Sequence, residues 1–188
     1  MTSPADTLAV ENVVASTSIG QELDLETLAD DLPSTDYAPD HFPGLVYRTQ
    51  NPQAAALIFR SGKVVCTGAQ SGIAVEDALE IFFQELRDLG IHVHEDPDIT
   101  IENMVTSGDL DERLNLNAIA IGLGLANIEY EPEQFPGLVY RLDELPVVVL
   151  LFGSGKFVIT GAQTVEDAET ALKIIRTRLQ DLDLLGGL

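Results

Sequence analysis

The chain has 188 residues, 45% of them hydrophobic, enough for a sizeable core, yet no apolar run approaches the ~20 residues of a membrane-spanning helix. A single cysteine, Cys66, excludes a disulfide framework and, with no basic and apolar leader after Met1, points to a soluble protein of a reducing cytoplasm. Thirty-one acids against ten bases leave a net charge of −21, a balance that by itself argues against a nucleic-acid partner.

In chain order, residues 8–17 read as a strand. A helix follows, opened by Asp24 as N-cap, with Leu25, Leu28, Ala29 and Leu32 along one face. Short strands come next, punctuated by Pro-Gly, Asn-Pro, Ser-Gly and Thr-Gly turns. A longer helix then carries the stripe Val75, Leu79, Phe82, Leu86 and Leu89, with Gly90 as its stop. Asp96-Pro97-Asp98 is the expected junction.

The second half runs through the same programme. Residues 99–106 form a strand, and Asn115 caps a helix whose face is Leu116, Ile119, Ala120 and Leu123. After more short strands, Thr164 opens the last helix with Asp167 in a capping box, and its stripe is Val165, Ala168, Leu172, Ile175 and Leu179.

The halves are copies. FPGLVYR stands at 42–48 and again at 135–141, and seventeen of the twenty-nine positions from 42–70 and 135–163 are identical without a gap. Upstream, Glu11-Asn12-Val13-Val14 answers Glu102-Asn103-Met104-Val105; downstream, Val75-Glu76-Asp77-Ala78 answers Val165-Glu166-Asp167-Ala168. The spacing passes from 91 to 93 to 90 residues, which implies loop insertions on both sides. Two copies are too few for a solenoid and suit a pseudo-symmetric pair. The expected plan is a tail at 1–7, one repeat at 8–95, the junction at 96–98, a second repeat at 99–183 and a tail at 184–188. The fold class is α+β, with two helices and about five strands per repeat.

Charge and strand parity carry the functional reading. The most repetitive segments, 42–70 and 135–163, sum to +3, so the remainder carries −24. Dispersed acids with few lysines suit a salt-filled cytoplasm. The strands 54–59, 64–67 and 147–152 do not alternate apolar with polar. If Ile58, Val64 and Cys66 face helices, then Leu57, Phe59, Lys63, Val65 and Thr67 line the opposite face, as do Leu150, Phe152, Lys156, Val158 and Thr160 in the second copy. Two helices per repeat cannot cover both faces. Either the sheet closes on itself or it presents a wide apolar face edged with bases, and such a face is a binding surface. GSGK at 153–156 fails as a phosphate loop, since Leu150 replaces its first glycine and Phe157 its hydroxyl residue. GLGLAN at 122–127 lacks the third glycine of a dinucleotide fingerprint. His92 and His94 lack the further ligands a metal site needs, and nothing activates Cys66. No cofactor or enzymatic site is expected. An enzyme would need a converging nucleophile, base or metal set, and a peptide- or lipid-binding module using the same apolar face is the alternative.

The motifs ENVV, FPGLVYR, ALIFRSGKVVCTGA, YEPEQFPGLVYR and LLFGSGKFVITGA together resemble those of the TATA-box-binding protein family, over about residues 8–182, and the acidity resembles that of a halophilic archaeal member. The resemblance implies two tandem repeats forming a saddle, a curved ten-stranded antiparallel sheet with four helices on its convex face. It implies a general transcription initiation factor that binds the minor groove of A/T-rich promoter DNA and kinks it with paired phenylalanines. Carried over by residue, the wedges are Phe42 with Phe59 and Phe135 with Phe152. Asn12 and Asn103 would hydrogen-bond base acceptors, with Thr67 and Thr160 beside them. Val14, Val105, Leu57, Leu150, Val65 and Val158 would press on base edges, and Pro136 belongs to the same surface. Arg48, Lys63, Arg141 and Lys156 match phosphate-contacting positions. Glu131, Glu133 and Gln134 match the loop that receives a transcription factor B-type partner, with RNA polymerase following through the preinitiation complex. The expected location is cytoplasmic, at the nucleoid. Departures are Gln70 and Gln163 for lysine, His41 for arginine, and Asp143-Glu144 in a loop that is usually basic. They weaken ordinary phosphate electrostatics and make room for cations bridging carboxylates and DNA.

Overall fold

The computed structural model describes residues 8–186. The expected N-terminal tail, 1–7, and the last two residues lie outside that range. The chain divides into two compact units, Asn12–Glu102 and Asn103–Leu188 together with Met1–Glu11. They are called here the N-terminal and C-terminal units.

The first half of the chain runs β1 (Ala9–Ser18), α1 (Leu25–Asp31), β2 (Thr35–Asp36), β3 (Leu45–Gln50), β4 (Gln53–Ile58), β5 (Lys63–Ala69) and α2 (Gly72–Asp88). The second runs β6 (Thr100–Asp109), α3 (Leu116–Leu123), β7 (Ile128–Glu129), β8 (Leu138–Arg141), β9 (Val148–Leu151), β10 (Lys156–Ala162) and α4 (Val165–Asp181). That is the expected α+β class, with ten strands and four helices among the described residues. Strand order is β2-β3-β4-β5-β1 in one half and β7-β8-β9-β10-β6 in the other, with antiparallel pairing throughout. None of the described helices is long and apolar enough to cross a membrane.

The expected caps form: Asp24 accepts from Thr27 N, Asn115 from Ala118 N and Thr164 from Asp167 N. Ser71, not anticipated, caps α2 by accepting from Ala74 N. Each such cap stabilises its helix by about 1 kcal/mol. The Thr27 N–H also holds the Asp24 carboxyl below the ordinary aspartate range.

The helix ends correct the repeat alignment. The N-caps Ser71 and Thr164 and the C-caps Leu89 and Leu182 are each 93 residues apart, as are the FPGLVYR copies. The shared Val-Glu-Asp-Ala segments are therefore not equivalent. Val165 matches Gly72, not Val75, and is 41% exposed; Val75 matches the buried Ala168. Leu89, expected in the buried stripe, is a half-exposed C-cap, and Phe83 packs inside instead. A single two-residue insertion explains all the spacing. It falls between the N-cap of α3 and the start of β7, where the separation passes from 91 to 93.

In each unit the core lies between the sheet and the long helix. Leu45, Tyr47, Ile58, Val64 and Cys66 pack against Val75, Leu79, Phe82, Phe83 and Leu86 in the N-terminal unit. The C-terminal unit repeats this with Leu138, Tyr140, Leu151, Phe157 and Ile159 against Ala168, Leu172, Ile175 and Leu179. Each fully buried aliphatic or aromatic side chain contributes about 1.5–3 kcal/mol. Burial pushes the Cys66 thiol up to about 11, so it stays protonated and serves as packing.

Candidate nucleic-acid interface

The expected parity holds. In both units, strand residues alternate between buried positions under the helices and half-exposed positions on the other face. Cross-strand register aligns the latter into rows. One row of the N-terminal unit is Val46, Leu57, Val65 and Ser16, across β3, β4, β5 and β1. Its counterpart in the C-terminal unit is Val139, Leu150, Val158 and Ser107. A second row places Arg48, Ala55 and Thr67 together, and Arg141, Val148 and Thr160. Val46, Val139, Ala55 and Val148 were missed in the sequence, although two-residue periodicity from Arg48 and Arg141 marks Val46 and Val139 as face residues.

The two phenylalanines of each unit meet at one end of this face. Phe42 and Phe59 lie 5.9 Å apart between ring centres at 67°, and Phe135 and Phe152 lie 5.9 Å apart at 72°. These are edge-to-face pairs, a favourable arrangement of ring quadrupoles. Phe42 remains 37% exposed and Phe135 40%, while Phe59 and Phe152 are half-buried. The glycine of each Phe-Pro-Gly makes the pairing possible. A β-carbon on Gly44 would sit 2.7 Å from Phe42 Cε1, and one on Gly137 would sit 2.7 Å from Phe135 Cε1. Pro136, between ring and glycine, is exposed.

Backbone bonds hold each ring in place. Phe59 N donates to Lys63 O and Gly62 N to Phe59 O, and Phe152, Lys156 and Gly155 repeat the turn. The loop before the first helix of each unit braces that turn: Ile19 N and Leu23 N donate to Gly62 O and Arg60 O, and Leu110 N and Leu114 N to Gly155 O and Gly153 O. The packing is close enough that a β-carbon on Gly62 would meet Gln21 O at 2.2 Å. Rigid support of this kind suits a wedge.

The asparagines are oriented by a β-bulge. One extra residue on β5 interrupts its register with β1, and β10 does the same against β6. The bulged amides turn to the asparagine oxygens: Gly68 N donates to Asn12 Oδ1 at 2.7 Å, and Gly161 N to Asn103 Oδ1 at 2.6 Å. Asn12 Nδ2 then donates to Thr67 Oγ1 at 3.1 Å and Asn103 Nδ2 to Thr160 Oγ1 at 3.2 Å. Each amide nitrogen has two hydrogens, so one per asparagine is left to donate elsewhere. Val14 and Val105 lie half-buried two residues along the same strands.

Charge is distributed less evenly. Arg48, Lys63, Arg141 and Lys156 are all exposed. Arg141 lies 3.8 Å from Glu129, and Lys156 stands opposite Asp109, where the N-terminal unit has Ser18 opposite Lys63. The acids of the β8–β9 loop are engaged within the protein. Asn127 Nδ2 donates to Asp143 at 2.8 Å, and Glu144 pairs with Arg178 of α4, behind the sheet. Its own backbone N–H chiefly, then Arg178, holds the Glu144 carboxyl below the usual range. Glu144 is therefore not among the groups that face a ligand on the open side. Glu131, Glu133 and Gln134 form an exposed turn in which Gln134 N and Phe135 N both donate to Glu131 O. The expected partner loop and the wedge Phe135 thus share one turn.

Comparison with known proteins agrees with this geometry. The chain matches the family model described as transcription factor TFIID, or TATA-binding protein, over residues 7–89 and again over 98–182. It is 67% identical to TATA-box-binding protein 1 of Haloferax volcanii over 187 residues, covering 100% of this chain and 99% of that one. It is 64% identical to the TATA-box-binding protein of Natronomonas pharaonis, covering 100% of both. A solved structure, Methanococcus jannaschii TBP, superposes with a TM-score of 0.84 at 52% identity, covering 93% of this chain and 99% of the other.

Proposed function

The chain belongs to the TATA-binding protein family of non-enzymatic, DNA-binding transcription factors, and from that premise we propose that it kinks A/T-rich promoter DNA through the minor groove. The observation that carries this reading is the doubled edge-to-face phenylalanine pair on a half-exposed, helix-free face. Val14, Leu57 and Val65, with Val105, Leu150 and Val158, press on base edges, and Asn12 and Asn103 donate to the acceptors that A·T pairs present there. Arg48, Lys63, Arg141 and Lys156 fix the backbone. The loop Glu131–Gln134 receives a transcription factor B-type partner, and RNA polymerase follows.

The energetics limit what the rings do alone. Fully buried, four phenylalanines of roughly 200 Å² each would supply about 20 kcal/mol. In the free protein the rings already cover one another, and Phe42 and Phe135 keep 37% and 40% of their exposure, so each has about 2 kcal/mol left to gain. A strong bend costs up to about 10 kcal/mol, and unstacking costs a few more per step. The apolar rows beside the wedges must supply the difference. A gel shift in molar potassium chloride with circularly permuted A/T-rich probes tests the proposal. Specific retention with position-dependent mobility is expected; retention without a bend rejects the wedge role.

A further inference from the structure

The seam between the long helix and the adjacent hairpin loop is finished differently in the two units. In the C-terminal unit it is closed. Arg178 of α4 donates to Tyr140 Oη at 2.5 Å and pairs with Glu144 of the β8–β9 loop, with its guanidinium 5.8 Å from the Tyr140 ring centre. The positions 93 residues earlier are Glu85, Tyr47 and Asn51. No arginine is there.

A groove of about 880 Å³ lies open along α2 instead, with Asn51, Pro52, Ile73, Ile81 and Glu85 among its lining residues. Ile73 is 73% exposed and Ile81 39%, a large apolar exposure on one helix. Asp77 and Glu80 stand on the same groove. Glu80 is answered by Arg87 at 2.7 Å, but among the described residues Asp77 and Glu85 have no ion-pair partner. The C-terminal unit has Thr170, Lys173 and Arg178 where α2 has Asp77, Glu80 and Glu85. The same seam has thus lost its cation and gained acids.

We propose that the α2 groove docks a partner protein that inserts an arginine flanked by apolar side chains. The guanidinium meets Glu85 much as Arg178 meets Glu144, and the apolar flanks cover Ile73 and Ile81. A carboxylate and an arginine fork make a geometrically specific pair. Apolar cover is not screened as charge is, which keeps such a contact effective in concentrated potassium chloride.

The test uses the full chain in molar potassium chloride. Its probe is a synthetic amphipathic peptide with leucines at helical i, i+3, i+4 and i+7 spacing and one arginine within that stripe. Saturable amide shifts should appear on α2 around Ile73, Ile81 and Glu85. A peptide with glutamine for the arginine should bind about tenfold more weakly. The double variant Asn51→Glu/Glu85→Arg, which rebuilds the closed seam, should lose binding while its circular dichroism is unchanged. If that variant does not fold, Ile81→Ser should weaken the arginine peptide about tenfold. Shifts absent from α2, equal affinity for the two peptides, or unaltered binding by the folded variants would overturn the proposal. So would sedimentation showing a second copy of the chain in the groove.

Discussion

The N-terminal and C-terminal units match on the open face of their sheets and differ behind it. On the open side, Phe42, Phe59, Asn12 and Thr67 recur as Phe135, Phe152, Asn103 and Thr160, and ring separations agree at 5.9 Å. Behind, the bulky groups change places. Val64 on β5 becomes Phe157 on β10, while Phe82 and Phe83 on α2 become Ile175 and Arg176 on α4. The ring moves from helix to strand and the space stays filled, as a close-packed interior requires. A core accepts many fillings of one volume. A binding face accepts few, because each side chain must meet something outside the protein.

The first way to break this equivalence is at the wedges. Phe59→Ala and Phe152→Ala should each reduce affinity for an A/T-rich site by roughly ten- to a hundredfold and lower the bend in permuted-probe gels. Circular dichroism should stay native. Loss of folding in either variant would make that ring part of a core, and very unequal losses would break the equivalence.

The next test concerns the loops that precede Phe42 and Phe135. Glu131 and Glu133 correspond to Ala38 and Asp40. Charge reversal at Glu131 and Glu133 should weaken the ternary complex with a factor B-type partner at least about tenfold, with binary DNA binding spared. Lysines at 38 and 40 should leave both unchanged.

Arg178→Ala opens the closed seam. Because Arg178 and Glu144 are both partly exposed, the expected loss of stability is small, read as a slightly lower denaturant midpoint. A larger loss would mean that the Tyr140 contact dominates.

The smallest effect is on salt dependence. Gln70 and Gln163 are uncharged where the family resemblance leads one to expect lysine, and −24 lies outside the two repeated segments, so screening of like charge should offset counterion release. Affinity should hold or rise from about 0.5 M to above 1 M potassium chloride. Gln70→Lys with Gln163→Lys should restore a falling slope. A steeply negative slope in the unaltered protein would show that its remaining bases dominate.

Much of this was legible in the linear chain. Helix caps, strand parity and the doubled motif are local patterns and located their elements, although β6 runs three residues past the expected 99–106 and α2 begins three residues before its first expected stripe residue. Val165 and Leu89 went wrong because Val-Glu-Asp-Ala occurs twice by coincidence and drew the alignment off by three residues, nearly one helical turn. The helix caps, 93 residues apart at both ends, and the burial of Val75 and Ala168 separate that register from the true one. Gly44, Gly137 and the Arg178 clamp were invisible for another reason. Their roles depend on rings and carboxylates brought close by folding, and no periodicity announces a contact of that kind.

The bulge at Gly68 and Gly161 has a last consequence. By donating to each asparagine oxygen, the backbone fixes the orientation of the amide and leaves one Nδ2 hydrogen of each side chain to donate elsewhere. In the minor groove, A·T and T·A both present acceptors, whereas G·C adds the guanine amino group, itself a donor. A pair of asparagines free to flip could accommodate that amino group. If Asn12 and Asn103 donate into the groove as proposed, amides held by their own chain would meet that amino group hydrogen to hydrogen, and the bulge would disfavour guanine through the backbone that fixes the base-reading side chains.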